Sequence, residues 1–252
     1  MSPTDRRQCL VTGANRGLGL EFVRQLLANG DYVIGACRSP DTSGDLQRAL
    51  GHENGRTVQL DVADSASIAA AASDVGRDFR VIDLLVNVAG VEDSTASSGP
   101  VDALEAEALL RVFTVNIVAP ALVTGAFAPM LARSDNAVVG NLTSRRELLD
   151  QPVNSGNIGY AISKAGLNML TAKLAAELRD VAITVVALSP GWVRTDMGGP
   201  EAPLTAQQSV ASMLGVIKQL DLSRSGAILG HDGTNLFTTS HDRGTVEPGT
   251  IQ

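Results

Sequence analysis

Cysteine, histidine and aromatic side chains are scarce in this sequence. Its 252 residues include two cysteines, three histidines, one tryptophan, two tyrosines and five phenylalanines. Two cysteines build no disulfide framework, which is typical of a reducing compartment, and we therefore predict a cytoplasmic protein. The histidines lie far apart, without the close spacing of zinc ligands, so no metal site is expected.

An excess of basic charge is also missing, as are obvious targeting and membrane segments. Lys plus Arg number 20 against 27 Asp plus Glu, a net charge of −7. Such an acidic chain is a poor match for nucleic acid or an anionic membrane. The polar residues 1–7 do not resemble a signal peptide, and we expect no apolar run long enough to cross a bilayer. Because 44% of the residues are hydrophobic, the chain can still bury a sizeable core.

Short apolar runs alternate with amphipathic segments along the whole chain. The predicted strands are 8–12, 32–37, 57–60, 82–88, 137–142, 182–188 and 226–229. The predicted helices are 17–29, 43–50, 64–75, 102–132, 157–179 and 205–221. Strands that are apolar throughout suit a sheet covered on both faces, and the alternation predicts an α/β Rossmann fold with a doubly wound parallel sheet. No linker divides the chain, so we predict one domain, 1–252, with a flexible tail at about 240–252.

A glycine-rich turn, TGANRGLG, separates the first predicted strand from the first predicted helix. Glycines there allow a tight turn and bring backbone N–H groups close to a phosphate, and the following helix N-terminus adds partial positive charge. The turn therefore predicts a dinucleotide site. Its candidate cofactor-binding residues are Gly13, Asn15, Arg16, Gly17, Leu18 and Gly19.

The end of the second predicted strand favours NADP over NAD. An NAD site usually has an acidic residue there for the ribose 2′-hydroxyl, whereas this sequence has Arg38. Asp31 lies before the strand and is expected to be solvated. Arg38 and Arg16 together would bind a 2′-phosphate. The alternative is that Arg38 is an ordinary surface residue beside Pro40.

Two further strand ends carry candidate cofactor residues. Asp61 and Val62 follow the third predicted strand, where a side-chain acceptor would meet the adenine amino group. Asn87, Ala89 and Gly90 follow the fourth, where small residues permit the close approach of a flat ring.

The stretch YAISK places Tyr160 four residues before Lys164 in a predicted helix. Residues at this spacing lie on one helical face, so a phenol and an ammonium would be neighbours. Lowering a tyrosine pKa by about three units requires about 4 kcal/mol of preference for the phenolate, which a nearby cation supplies in part. The pair is therefore either a catalytic proton donor or a simple surface contact.

Taken together, these motifs resemble the short-chain dehydrogenase/reductase family. They are TGANRGLG, LDV at 60–62, NVAG at 87–90, Asn116, the serine of NLTS, YAISK and PGWVRTDM at 190–197. The phrases ACRSP and PGWVRTDMGG are similar to those of the subgroup that contains sniffer-type carbonyl reductases and C-signal.

The resemblance implies four catalytic residues. Tyr160 would be the general acid or base, and Lys164 would favour its phenolate and bind the nicotinamide ribose. Ser144 would hold the substrate oxygen. The carbonyl of Asn116 would hold a water on a relay to Lys164, and Pro120 supports this role because a proline cannot donate to the carbonyl four residues earlier.

The resemblance also implies further cofactor contacts and an activity. Pro190, Val193 and Thr195 match positions that hold the carboxamide and phosphates. The implied reaction is NADP(H)-dependent reduction of a ketone or aldehyde, or oxidation of the alcohol. Reduction of C=N or C=C bonds, epimerisation, and a non-catalytic NADP-binding regulatory role remain alternatives. A hydrolase is disfavoured because no G-x-S-x-G motif is present.

Three departures from the family pattern affect the substrate side and the assembly. Val88 replaces the second asparagine of N-N-A-G, and the interval of 16 residues from Ser144 to Tyr160 predicts a longer loop at 145–157. The last predicted strand is short, which weakens the expectation of a tetramer. We expect a homodimer built on the helices at 102–132 and 157–179, with a small-molecule substrate bound among loops that include 92–100 and 197–209.

Overall fold

A computed structural model describes residues 6–51, 54–92, 103–145 and 157–237. Within these residues, seven strands form one parallel sheet in the order β3-β2-β1-β4-β5-β6-β9. Its strands are β1 (Gln8–Thr12), β2 (Tyr32–Cys37), β3 (Gly55–Gln59), β4 (Leu84–Asn87), β5 (Val138–Leu142), β6 (Thr184–Ser189) and β9 (Ile228–Gly230). A separate short parallel pair consists of β7 (Val193–Arg194) and β8 (Leu204–Thr205). The predicted doubly wound parallel sheet is confirmed.

Helices cover both faces of this sheet. They are α1 (Gly17–Ala28), α2 (Gly44–Leu50), α3 (Ser65–Asp78), α4 (Ala106–Phe113), α5 (Ala119–Leu131), α6 (Ile158–Glu177) and α7 (Ala206–Ile217). Phe22 of α1 and Met213 of α7 belong to the apolar cluster on one face, whereas Val75 of α3 and Phe127 of α5 belong to the cluster on the other. Neighbouring strand residues alternate between the two clusters, which explains why apolar residues occupy both faces of most strands.

The predicted helix at 102–132 is interrupted. A π-helical turn, Thr114–Val118, joins α4 to α5. The combined helical run Ala106–Leu131 has a mean hydropathy of 1.6 over its most apolar window and is long and apolar enough to cross a membrane by length and composition. The expectation that no run reached this length is therefore wrong. A core helix has the same composition, and this run contributes the buried Phe127 and Leu131 to the interior.

Several sequence predictions fall outside the described residues. They concern the tail at 240–252 and most of the loops at 92–100 and 145–157. Cys9 and Cys37 lie in buried strands, as predicted, and both are free thiols.

The sheet order reverses direction at β1, which pairs with β2 on one side and β4 on the other. In such sheets, the crevice beyond the carboxyl ends of the strands at this switch point is where ligands bind. The glycine-rich turn follows β1 and the sequence NVAG follows β4, so the fold brings both to this crevice.

Candidate active site

The glycine-rich turn is shaped so that side chains are excluded at two positions. Gly13 has a φ of +64°, in the left-handed region that favours glycine. A Cβ on Gly19 would lie 2.1 Å from the carbonyl oxygen of Gly13. The hydroxyl of Thr12 accepts hydrogen bonds from the backbone N–H groups of Val88 and Ala89 at 3.1 and 3.2 Å. The ends of β1 and β4 are therefore held together around a bare backbone turn.

The first turn of α1 is suited to an anion. Arg16 is the N-cap residue of this helix, and in the part of the chain that the structure describes no side chain caps the helix start. Its first N–H groups lack intrahelical acceptors, and no acidic residue lies in the first turn. The turn therefore fits a dinucleotide pyrophosphate.

The two arginines predicted to bind a 2′-phosphate are both exposed. Arg38 directly follows β2. The guanidinium of Arg16 donates to the carboxylate of Asp196 at 3.2 Å, with the two side chains 74% and 85% exposed. An exposed ion pair contributes about 0–1 kcal/mol, so Arg16 can exchange this partner for a phosphate at little cost.

Asp61, Val62 and Asn87 take different positions at the crevice. The carboxylate of Asp61 accepts from the backbone of Ala63 at 3.0 Å, within its own turn. Val62 and Asn87 line the crevice together with Thr12 and other residues. Asn87 is buried, and its amide donates to the side chain of Asn141 at 2.8 Å. In this structure the Asn87 side chain therefore supports the neighbouring strand.

Tyr160 and Lys164 lie in the first two turns of α6 and are buried, with 8% and 5% of their surfaces exposed. The Lys164 ammonium lies 5.5 Å from the centre of the Tyr160 ring. It donates to the carbonyl of Leu142, the last residue of β5, at 2.8 Å. Ser144 follows two residues after Leu142, at the same end of the sheet. A buried cation is thus held between the phenol and the end of β5.

Asn116 is fully buried in the π-helical turn. Its side-chain oxygen accepts from the backbone N–H of Val91 at 2.9 Å, and its nitrogen donates to the carbonyl of Val91 at 2.8 Å. Within the turn, the Ala119 N–H donates to the carbonyl of Thr114, five residues earlier. The sequence did not predict this turn. Pro120 was the available signal, because its missing N–H interrupts the regular helical pattern.

Gly90 lies where these groups meet. A Cβ added to it would be 3.4 Å from the Asn116 side-chain oxygen and 3.6 Å from the Lys164 nitrogen. The structure therefore brings Asn116, Lys164 and Gly90 together beside the crevice, although 74 residues separate Gly90 from Lys164 in the sequence.

Ser163 is a site residue that the sequence analysis missed. It is fully buried, donates to the carbonyl of Tyr160 at 2.7 Å, and accepts from the Asn116 amide at 2.9 Å. The sequence signal available for Ser163 is its place in a predicted helix, three residues after Tyr160. A serine hydroxyl in a helix can donate to the backbone carbonyl three or four residues earlier.

Pro190, Val193 and Thr195 lie on one loop that follows β6. The carbonyl of Pro190 accepts from the hydroxyl of Ser209 at 2.7 Å. Val193 is buried in β7, and the hydroxyl of Thr195 accepts from the Gly198 N–H at 3.1 Å. Asp196 on this loop forms the ion pair with Arg16, so the loop reaches the glycine-rich turn.

Asp31 does not belong to this site, and the expectation that it is solvated is wrong. It is half-buried at the opposite end of the sheet, before β2. Burial raises the pKa of this carboxyl, while the nearby charges of Arg7 and Lys218 act in the opposite direction. Among the described residues, no group of three or more metal-ligating side chains is placed to hold a metal ion.

A parallel sheet with a bare glycine turn at its switch point, next to a buried tyrosine and lysine, defines a dinucleotide-binding oxidoreductase of the Rossmann type. The short chain dehydrogenase family profile matches residues 7–204, and the chain belongs to this family. The resemblance stated from the motifs is confirmed.

The similar proteins include carbonyl reductases and C-signal. A structure of NADPH-bound carbonyl reductase from chicken fatty liver is 37% identical, with a TM-score of 0.84, and the match covers 91% of this chain and 98% of that one. The carbonyl reductase Sniffer of D. melanogaster is 28% identical, with a TM-score of 0.83 over 91% and 98% of the two chains. C-signal of Myxococcus xanthus is 39% identical over 155 residues, which cover 62% of this chain and 92% of C-signal. The cofactor in the chicken structure is the one predicted here from Arg38 and Arg16.

Proposed function

We propose that this protein is an NADP(H)-dependent carbonyl reductase that reduces a ketone or aldehyde and oxidises the corresponding alcohol in reverse. The observation that carries this proposal is the buried pair of Tyr160 and Lys164, held against the end of β5 beside the crevice. Membership of the family and the similarity to NADPH-bound carbonyl reductase support the same reaction class.

The residues around the crevice are suited to NADP. The backbone of the glycine-rich turn and the free N–H groups of α1 would bind the pyrophosphate. Arg38 and Arg16 would pair with the 2′-phosphate, since a guanidinium binds phosphate in a bidentate manner. Ala89 and Gly90 leave space for a flat ring. When bound, the cofactor supplies a hydride to the carbonyl carbon of the substrate.

The side chains of the site would supply the proton. The Tyr160 hydroxyl donates its proton to the carbonyl oxygen, so hydride and proton together convert C=O to CH–OH. The Lys164 ammonium stabilises the resulting phenolate, since a buried positive charge acts strongly at short range. Ser144 donates a hydrogen bond to the same oxygen. The carbonyl of Asn116 would hold a water that returns a proton through Lys164.

The assembly that we propose is a homodimer. Large apolar side chains on α4, the π-helical turn and α5 are exposed, and so are others on α6. They are Leu110, Val118, Leu122, Ile162 and Met169. Because exposed apolar area on adjacent helices favours self-association, these side chains would pack across a two-fold axis. We further propose a single domain and a cytoplasmic location, the latter because the chain carries only two cysteines and both are free.

Consumption of NADPH with a panel of ketones, aldehydes and imines tests the activity. We expect turnover with carbonyl substrates and a much weaker rate with NADH. Turnover of imines alone would replace the carbonyl assignment with a C=N reductase. Tight NADPH binding without turnover of any substrate class would instead indicate a regulatory, non-catalytic protein.

A further inference from the structure

The hydroxyl of Ser163 has two hydrogen-bond partners, one on α6 and one in the π-helical turn. Its oxygen donates to the Tyr160 carbonyl at 2.7 Å and accepts from the Asn116 amide nitrogen at 2.9 Å. The side chain is fully buried, so water does not compete for either bond. Ser163 thereby connects α6, which carries Tyr160 and Lys164, to the π-helical turn.

The amide of Asn116 has all of its donors in use. Its nitrogen donates one proton to Ser163 and the other to the carbonyl of Val91, while its oxygen accepts from the Val91 N–H. Three segments of the chain therefore meet at one side chain: the π-helical turn, the segment after β4, and α6. Removal of the Ser163 hydroxyl would leave one buried N–H of Asn116 without an acceptor, and Asn116 would move to recover it.

We propose that Ser163 is a positioning residue for the reaction described above, on which this inference rests. It would act on neither substrate nor cofactor directly. Its hydroxyl fixes the π-helical turn relative to Tyr160 and Lys164, and it thereby holds Asn116, whose side chain lies beside the Lys164 nitrogen next to Gly90, in place for the proposed proton relay. A displacement of about 1 Å in such a relay costs up to about a hundredfold in rate.

Thr171 provides a matched comparison on the same helix. Its hydroxyl donates to the carbonyl of Leu167 at 2.8 Å and accepts from the amide of Asn141 at 3.0 Å, and it is fully buried. The two hydroxyls thus have the same bonding pattern. They differ in the residue that donates to them. Thr171 accepts from Asn141, which lies within β5, whereas Ser163 accepts from Asn116, which lies in the π-helical turn beside Lys164.

The test compares Ser163→Ala with Thr171→Val, each of which removes one buried hydroxyl. We expect both variants to lose thermal stability to a similar extent. Only Ser163→Ala should lower kcat, by about tenfold to a hundredfold, with the KM for NADPH within about twofold of wild type. Ser163→Thr retains the hydroxyl and should recover most of the kcat, because a helical threonine also bonds to the carbonyl of the preceding turn.

Equal kcat values for Ser163→Ala and Thr171→Val would overturn the inference and leave Ser163 a structural contact. If Ser163→Ala does not fold, Ser163→Cys makes the same comparison, because a thiol fills the space but is a weak hydrogen-bonding group. The proposed reaction and the proposed role of Ser163 can be refuted separately. Wild-type protein that turns over no carbonyl with NADPH refutes the proposed reaction and this inference with it, whereas an active wild type with an equally active Ser163→Ala refutes the inference alone.

Discussion

At the scale of single residues, the two tyrosines of the chain give a direct test of the reaction. Tyr160→Phe removes one hydroxyl and little volume, so the fold and NADPH affinity should survive. Turnover should fall by at least about a hundredfold, because the proton donor is lost. Steady-state kcat and a fluorescence titration with NADPH measure the two effects.

Tyr32 provides the control for this substitution. It is also buried, but it is the first residue of β2, at the end of the sheet away from the site, and it packs against Phe79 with ring centres 5.0 Å apart. Burial raises the pKa of its hydroxyl, which therefore stays neutral. Tyr32→Phe should keep wild-type turnover. Near-normal turnover in Tyr160→Phe would mean that the proton comes from another group.

Arg38 is the residue that we predict to set the preference for NADPH over NADH. Arg38→Asp should raise the Kd for NADPH far more than the Kd for NADH, because it replaces an attraction to the 2′-phosphate with a repulsion. Arg77→Asp, at an exposed position on α3, has the same change in charge and should leave the ratio of the two constants unaltered. Equal wild-type affinities for NADH and NADPH would contradict the assignment of Arg38.

Asp31 makes stability depend on pH. Burial raises the pKa of Asp31 in the folded protein above its ordinary value of 3.8. At pH values above 3.8, the folded protein therefore binds more protons at this carboxyl than the unfolded chain does. The stability associated with protonated Asp31 is therefore fully present below pH 3.8. It is lost as the pH rises through the folded-state pKa, because the buried carboxyl then has to carry a charge. Asp31→Asn should thus be more stable than wild type at pH 7, and the gain should shrink near about pH 3.5. Urea unfolding at both pH values measures this, and a gain that grows toward low pH would contradict it.

At the scale of secondary-structure elements, we expect the glycine-rich turn to tolerate no side chain at Gly19. Gly19→Ala should abolish NADPH binding and lower the Tm, because its Cβ would lie 2.1 Å from a backbone oxygen that cannot rotate away. Gly125→Ala, in α5, meets nothing within 4 Å and should be neutral or stabilising by about 0.5–1 kcal/mol. Thermal unfolding and NADPH titration of both variants test the pair. Normal NADPH affinity in Gly19→Ala would show that the turn rearranges freely.

Element boundaries were predictable where a local pattern encodes them. The apolar runs predicted β1 and β2 with the observed bounds, Gln8–Thr12 and Tyr32–Cys37, since a strand buried on both faces is mostly apolar. The π-helical turn was not predicted, because α5 is apolar on most of its surface and has no amphipathic pattern from which a change of helical phase could be read. The available sequence signal was Pro120, whose missing N–H interrupts the regular helical hydrogen bonds.

At the scale of the whole molecule, the exposed apolar side chains predict the assembly. Light scattering at micromolar concentration should give the mass of a dimer, and Leu110→Glu combined with Met169→Glu should shift it to a monomer, because buried charge opposes association. Val181→Glu is the control, since Val181 is a similarly exposed apolar residue outside both helices. A wild-type monomer, or a dimer unchanged by the double substitution, would contradict this interface.

The sequence by itself determined most strands and helices of the main sheet and most of the candidate site residues, but neither the π-helical turn nor the β7–β8 pair. Local rules sufficed for these: a buried strand is apolar, a tight turn needs glycine, and residues four apart share a helical face. The tertiary structure alone decided which of these residues meet. Asn116 bonds to Val91 and Ser163, 25 and 47 residues away, and Arg16 reaches Asp196 across 180 residues. Such contacts depend on how α6, the π-helical turn and the sheet pack together, and no short-range pattern encodes the distances between segments that are far apart in the chain.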